Sequence, residues 1–321
     1  MAGILKYLCN IDTPQVLVFG ITGRQGKSRS RLMKGFGTRI AAGCTPGKGG
    51  QEVDGVPVYN TPAEAVQNHP EINSAVFFVP AGAIARAAFD AMDAGIKFLV
   101  LTADGVATQD SIKIKEKAAE TGSMCLGPNT VGMLDTDGYL FGLIGGKASW
   151  AKKNYLPGRV GVISRSGGLS QLLASFHCRP FLPGPRPDGS FGPLWEENYP
   201  GLSAVLCVGG DPVPGITILD AARAFEADPR TEVVVVYAET GTTQENDLAK
   251  AIEDGEITKP VVVFLGGKFT QAGVAQSHAG AMIRNESETY TVKKRVLEKA
   301  GALVVDRPDS VFAATSGFLT R

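Results

Sequence analysis

The sequence is short of several things at once. It has no net charge, with 32 Lys+Arg against 32 Asp+Glu. That argues against a nucleic-acid binder relying on a global positive field. No apolar run approaches the roughly 18 residues that would span a bilayer. The start, MAGILKYLCNIDTP, is too short and too interrupted for a secretory signal. Histidine occurs three times, and the five cysteines (Cys9, Cys44, Cys125, Cys178, Cys207) form no CxxC pair and no metal-ligand spacing. Such a set reads as reduced thiols in an intracellular chain, with Cys125 and Cys207 in the core, and no metal site is expected. What is present is material for a core, 44% hydrophobic against 20% charged, and 40 glycines and 19 prolines for tight turns. The length of 321 residues suggests about two domains.

Short apolar runs alternate with helical stretches. Val16–Phe19, Arg39–Ala42, Ala75–Val79, Phe98–Leu101 and Met124–Leu126 read as strands, with helices over Ala81–Asp93 and Thr108–Glu120. Near-continuous apolar strands separated by helices indicate a parallel sheet covered on both faces. This gives a Rossmann-like unit over 1–130. The turn-rich Asp135–Pro157 reads as a hairpin or linker, and alternation resumes over 131–321. Arg159–Ile163, Ala204–Val208, Glu232–Tyr237 and Val261–Leu265 are strands there, and Ala302–Val305 is a short last one. The fold class is α/β with two doubly wound units. His177–Gly201, with six prolines and four glycines, is a surface insertion.

Gly20-Ile-Thr-Gly23-Arg-Gln-Gly26-Lys27-Ser28 follows a strand and opens a helix, so it offers backbone N–H groups and a positive helix end to a phosphate. The spacing fits neither the P-loop nor GxGxxG. After the second strand, where a dinucleotide site carries an acid for the ribose, the chain reads Cys44-Thr-Pro-Gly47-Lys48-Gly49-Gly50. A lysine there suits a phosphorylated ribose, as in coenzyme A or NADP. Both loops could equally be tight turns.

His69, beside Pro70, reads as exposed, and His177 as the start of the insertion. His278 follows a flexible polar stretch and opens the small-residue run His278-Ala-Gly-Ala281. Ser164-Arg-Ser166-Gly167-Gly168-Leu-Ser170 follows a strand and opens another helix, a second anion site. Two such helix ends aimed at one histidine would hold a phosphoryl group. A carboxylate would fix the imidazole tautomer, and Glu239, just past its strand, is the candidate.

These motifs, together with Gly127-Pro-Asn129, Gly209-Gly-Asp-Pro212 and Ser277-His-Ala-Gly280, resemble the alpha subunit of succinyl-CoA synthetase and the matching region of ATP-citrate lyase and citryl-CoA synthetase. The resemblance covers nearly the whole chain except 177–201. It implies a Rossmann-like CoA-binding domain followed by a flavodoxin-like doubly wound ligase domain, and a nucleoside-diphosphate-forming carboxylic acid–CoA ligase acting on a di- or tricarboxylate. It further implies that CoA meets Gly20, Thr22, Gly23, Arg24, Gln25, Gly26, Pro46, Lys48, Val79, Pro80, Thr102, Asp104 and Asn129. His278 is then the phosphorylated histidine, with Glu239 beside it, and Ser164, Ser166, Gly167, Gly168 and Ser170 cradle phosphate or substrate. ATP or GTP with Mg²⁺ would sit on a separate ATP-grasp beta-type subunit, in the cytoplasm or, after removal of a transit peptide, the mitochondrial matrix. Some residues depart from the family pattern: Gly168, Ser170 and Gln171 after Ser166, Ala238-Glu-Thr-Gly241, and Asp104-Gly105. A non-catalytic CoA-binding protein of the same fold and an NADP-dependent oxidoreductase are the alternatives.

Overall fold

A computed structural model describes residues 3–178, 183–185, 191–193, 199–270 and 283–319, with the backbone alone for 183–185 and 191–193. The first half runs α1 (Ile4–Cys9), β1 (Gln15–Phe19), α2 (Arg24–Phe36), β2 (Arg39–Cys44), β3 (Glu52–Val53), β4 (Val56–Tyr59), α3 (Pro62–Asn68), β5 (Ser74–Phe77), α4 (Ala81–Asp93), β6 (Phe98–Leu101), α5 (Thr108–Thr121) and β7 (Met124–Leu126). Its strands pair in the order β3-β4-β2-β1-β5-β6-β7. All run parallel except β3, which forms a hairpin with β4.

The second half begins with β8 (Gly132–Asp135), β9 (Tyr139–Gly142), α6 (Ala148–Asn154), β10 (Pro157–Ser164) and α7 (Gly167–Phe176). A two-stranded ribbon, β11 (Pro183–Pro185) and β12 (Phe191–Pro193), lies within the predicted insertion. It is followed by β13 (Leu202–Cys207), α8 (Ile218–Ala227), β14 (Val233–Glu239), α9 (Gln244–Glu253), β15 (Val261–Gly266), α10 (Tyr290–Ala300), β16 (Leu303–Val305) and α11 (Ser310–Leu319). The main sheet order is β16-β15-β14-β10-β13-β8-β9, with β8 and β9 antiparallel at the edge. The predicted hairpin is therefore the edge of the second sheet. Among the described residues no helix is long and apolar enough to cross a membrane.

The strands form because both sheet faces are covered. Every residue of β13 and β14 is buried, and β14 reads Val-Val-Val-Val-Tyr-Ala-Glu. The helices carry one apolar face each. Leu32, Met33 and Phe36 of α2 are buried while Lys27, Ser28 and Arg31 are exposed. Local signals set their ends: Thr217 and Asp220 make a capping box on α8, and Gly122 and Gly301 close α5 and α10 in the left-handed region.

The two sheets share a core, and α1 packs against α8 of the second half. A buried ion cluster lies within the second half, near the amino ends of β13 and β14. The Arg230 guanidinium donates to Asp135 at 2.9 and 3.0 Å and to Asp228 at 2.8 Å, with both carboxylates fully buried. Asp135 also accepts from the Ile4 amide at 2.6 Å. Thr38 adds a link to β9, its hydroxyl bonded to both the amide and the carbonyl of Leu140.

One histidine expectation is corrected, the exposure of His69. His69 is half-buried, its Nε2 3.2 Å from the Tyr59 hydroxyl, because the ring stacks edge-on against that tyrosine. His177 is fully buried, since α7 carries it under α11. Its Nδ1 donates to the Leu173 carbonyl at 2.8 Å and its Nε2 lies 3.2 Å from Thr315 Oγ1. Burial likewise pushes the thiols of Cys9, Cys44, Cys125 and Cys178 up to about 12, so none of the four is a thiolate near neutrality.

Two outcomes are expected. Arg230→Ala leaves two buried carboxylates without their cation and lowers unfolding free energy by about 3–5 kcal/mol in urea titrations. Burial lowers the His177 pKa from 6.5 to about 4. The unfolded chain thus binds a proton that the folded chain refuses. Stability is whole above about 6.5 and falls by about 3 kcal/mol as pH drops toward 4. Urea midpoints measured across that window lose this slope in His177→Gln.

Candidate functional site

Both sheets have a topological switch point where chain connections leave in opposite directions: between β1 and β5 in the first, between β10 and β14 in the second. The carboxyl ends of strands at such points form the crevice where open α/β sheets bind ligands. The candidate residues fall at these two places.

At the first edge, the loop after β1 turns on Gly20, whose φ is 72° and whose amide donates to the Cys44 carbonyl at 2.8 Å. A Cβ on Gly26 would lie 2.1 Å from the Gly20 carbonyl oxygen, so only glycine lets α2 start this close to the strand. Gly23 is the N-cap and supplies no side chain, which leaves the first amides of α2 open to an anion. Arg24 and Gln25 are exposed beside them. Thr22 Oγ1 is 3.3 Å from Thr45 Oγ1, tying this loop to the one after β2, where Pro46 and Lys48 are exposed. Val79 and Pro80 follow β5. The Thr102 hydroxyl donates to the Phe77 carbonyl at 2.6 Å, and Asp104 is exposed after β6. Asn129, at φ 57°, follows β7, and its amide donates to the Ala103 carbonyl at 2.9 Å. All thirteen predicted contacts thus lie along one sheet edge. Its cations and open amides fit the phosphates of a nucleotide.

At the second edge, β10 ends at Ser164 and α7 begins at Gly167. The three serine hydroxyls are engaged within the loop. Ser164 Oγ donates to the Ser166 carbonyl, Ser166 Oγ accepts from the Leu169 amide, and Ser170 Oγ donates to the Gly167 carbonyl. Ser164 and Ser170 thus spend their hydroxyl protons within the loop, Ser166 caps the Leu169 amide, and the amides of Gly167 and Gly168 stand at the start of α7. Gly168 borders open space, whereas a Cβ on Gly167 would meet Val131 at 2.5 Å. Gln171 is half-buried. Its amide group bridges the helix to the loop before α6, accepting from Gly145 N at 3.0 Å and donating to Gly167 O at 3.3 Å.

Glu239 is the last residue of β14 and is 5% exposed. Arg165, 1% exposed, points its Nη1 toward Glu239 Oε1 at 3.7 Å while Nη2 donates to the carbonyls of Gly210 and Asp211. Lys293 on α10, wholly buried, donates to the Glu239 carbonyl at 2.8 Å and to Glu245 Oε2 at 2.6 Å. Burial lowers the Lys293 pKa. Burial would raise that of Glu245, but the ammonium and its hydrogen bond hold it below the ordinary value. Arg165, Glu245 and Lys293 escape a reading of the sequence. Arg165 has the signal of standing inside the Ser164–Ser170 loop, whereas Lys293-Lys294-Arg295 looks like a solvated helix face. His278 lies outside the described residues.

The two edges meet. The Gly210 amide donates to the Asn129 carbonyl at 3.3 Å, the Gly215 amide to the Gly127 carbonyl at 2.9 Å and the Ile216 amide to the Cys125 carbonyl at 2.8 Å.

Comparison with known proteins agrees with this two-part arrangement. Residues 12–105 match a CoA binding domain and residues 195–318 a succinyl-CoA ligase like flavodoxin domain. The chain is 36% identical to the ADP-forming sulfoacetate–CoA ligase subunit SauD of Bilophila wadsworthia, over 95% of this chain and 97% of that protein. It is 37% identical to the alpha subunit of ADP-forming succinate–CoA ligase of Methanothermobacter thermautotrophicus, over 97% and 96%. Among solved structures it is similar in fold to ATP citrate lyase of Methanosaeta concilii, with a TM-score of 0.83 at 23% identity. That match covers 96% of this chain, which spans half the length of the lyase chain. With two sheets in this order and relatives aligned end to end, the chain belongs to the alpha-subunit family of nucleoside-diphosphate-forming acid–CoA ligases, the family of succinyl-CoA synthetase.

Proposed function

We propose that this chain is the CoA-binding, histidine-phosphorylated subunit of a two-component ligase that joins a di- or tricarboxylic acid, citrate-like or succinate- or malate-like, to CoA. The observation that carries the reading is the junction of the two edges: an anion-binding sheet edge ending at Asn129 is bonded directly to the loop that holds Arg165 opposite Glu239. An ATP-grasp beta-type partner binds ATP or GTP with Mg²⁺. The γ-phosphoryl group passes to His278, a P–N bond forming as the bond to the nucleoside diphosphate breaks. Glu239 accepts the imidazole N–H and so leaves the other ring nitrogen as the nucleophile. The amides at the start of α7, at Gly167 and Gly168, face the phosphoryl oxygens. The substrate carboxylate then takes the phosphoryl group, giving an acyl phosphate and free histidine. CoA supplies the thiol that displaces phosphate from the acyl carbon. Arg24, Gln25 and the α2 amides hold its pyrophosphate, and Lys48 its 3′-phosphate.

Two measurements test this. With the co-expressed partner and γ-labelled ATP, the chain acquires an acid-labile, base-stable label that His278→Asn abolishes. One acid from a panel of succinate, malate, citrate and sulfoacetate, given with CoA, discharges it. Absence of label with a partner shown to bind ATP overturns the catalytic reading. In titration calorimetry, Lys48→Ala weakens CoA binding about tenfold, roughly one charge-assisted contact. It leaves binding of 3′-dephospho-CoA within about twofold, and NADP does not bind.

A further inference from the structure

The turn after β14 is held from below by a buried ion pair that touches no predicted ligand. Lys293 Nζ reaches the Glu239 carbonyl at 2.8 Å, Thr242 Oγ1 at 3.2 Å and Glu245 Oε2 at 2.6 Å. The other carboxylate oxygen of Glu245 accepts the Glu239 amide at 3.3 Å, and Glu245 Oε2 also accepts the Thr242 hydroxyl. Both main-chain polar groups of Glu239 are thus fixed by one Lys–Glu pair, and both members of the pair are wholly buried. The next residues are pinned as well, since the Gly241 amide donates to the Glu288 carbonyl at 3.1 Å.

An ion pair this deep is weak as a source of stability, because desolvation of both charges offsets their attraction. Bonding a carbonyl and an amide of one residue is instead a way to set that residue's Cα–Cβ direction. Here that direction determines where the Glu239 carboxylate stands relative to Arg165 Nη1, 3.7 Å away.

We propose that Lys293 and Glu245 are positioning residues for phosphoryl transfer, clamping the Glu239 backbone so that its carboxylate meets the histidine in one orientation. The proposal rests on the reading of Glu239 as the partner of His278. A clamp that acts through Glu239 has no effect of its own once that carboxylate is gone. A purely structural pair would lower activity by the same factor in either background.

The test uses the complex with its partner subunit and follows the single-turnover rate of histidine labelling. Lys293→Met with Glu245→Leu removes the clamp and leaves no buried charge unpaired. The expected result is a labelling rate about 30-fold or more lower, with KM for acid and CoA within about threefold of wild type. Lys293→Gln with Glu245→Gln keeps an uncharged donor, one bond shorter, beside an isosteric acceptor, and it recovers part of the rate. Glu239→Gln alone slows labelling about 100-fold, and adding the Met/Leu pair to it lowers the rate less than threefold further. Thr242→Val, which removes one acceptor of the ammonium without creating a lone charge, carries the same cycle should the Met/Leu variant not fold. Its expected loss is about fivefold in the wild-type background and none with Glu239→Gln. Additive losses, or a clamp variant that labels at the wild-type rate, overturn the proposal while leaving the phosphohistidine reading intact. A wild type that takes no label overturns both.

Discussion

The structure turns on a set of hydrogen bonds that need no particular side chains, those joining the carboxyl end of β7 to the loop beyond β13. Gly215, Ile216 and Gly210 give their amides to Gly127, Cys125 and Asn129. Backbone groups buried at a junction must find partners, and here the partners belong to the other sheet. The consequence is geometric. The loop after β7 and the loop beyond β13 are joined directly, and neither can shift without breaking several main-chain bonds at once. At the opposite ends of the strands, Asp135, held with Asp228 by Arg230 inside the second half, accepts the Ile4 amide of α1. One edge is thus given to stability and the other to chemistry.

The charge distribution at the second edge follows from burial. Glu239 and Arg165 are both nearly inaccessible, and a buried charge needs an opposite one nearby or it is lost to neutralisation. Arg165 is anchored by two carbonyls through Nη2, so its remaining nitrogens point where the glutamate is. Lys293 and Glu245 form a second, self-compensating pair beneath. Together the four side chains keep an acidic group within a dry, largely neutral setting. Such a setting strengthens any hydrogen bond the carboxylate makes relative to open water.

Much of this was legible from residue order, and the reason differs element by element. Val16–Phe19, Phe98–Leu101 and Val261–Leu265 announce themselves because strands covered on both faces have no room for polar residues, and all three sit in strands. The glycine loops are legible because close approach of backbone to backbone leaves glycine no substitute, as at Gly26. What escaped is whatever depends on a distant partner. The short β3–β4 hairpin carries too few residues to show a period. His177 looked like the start of a loop because its partner, Thr315, stands 138 residues away. Lys293 carries no sequence signal of its burial, because its partner lies 48 residues earlier on α9. The serines of the Ser164–Ser170 loop read as ligand-facing hydroxyls, whereas those of Ser164 and Ser170 donate within the loop itself.

That revision bears on how one fold serves different acids. Amide groups at a helix start recognise any phosphoryl or carboxylate group and discriminate little among them. Discrimination then has to come from what surrounds the rest of the molecule. The loop between β9 and α6 is the element placed to supply it, because Gln171 ties Gly145 to the first turn of α7. A glutamine at this point holds the loop with one acceptor and one donor. An aromatic side chain would offer neither in that form and would need more space beside the helix. Gln171 thereby fixes the loop between β9 and α6 against the first turn of α7.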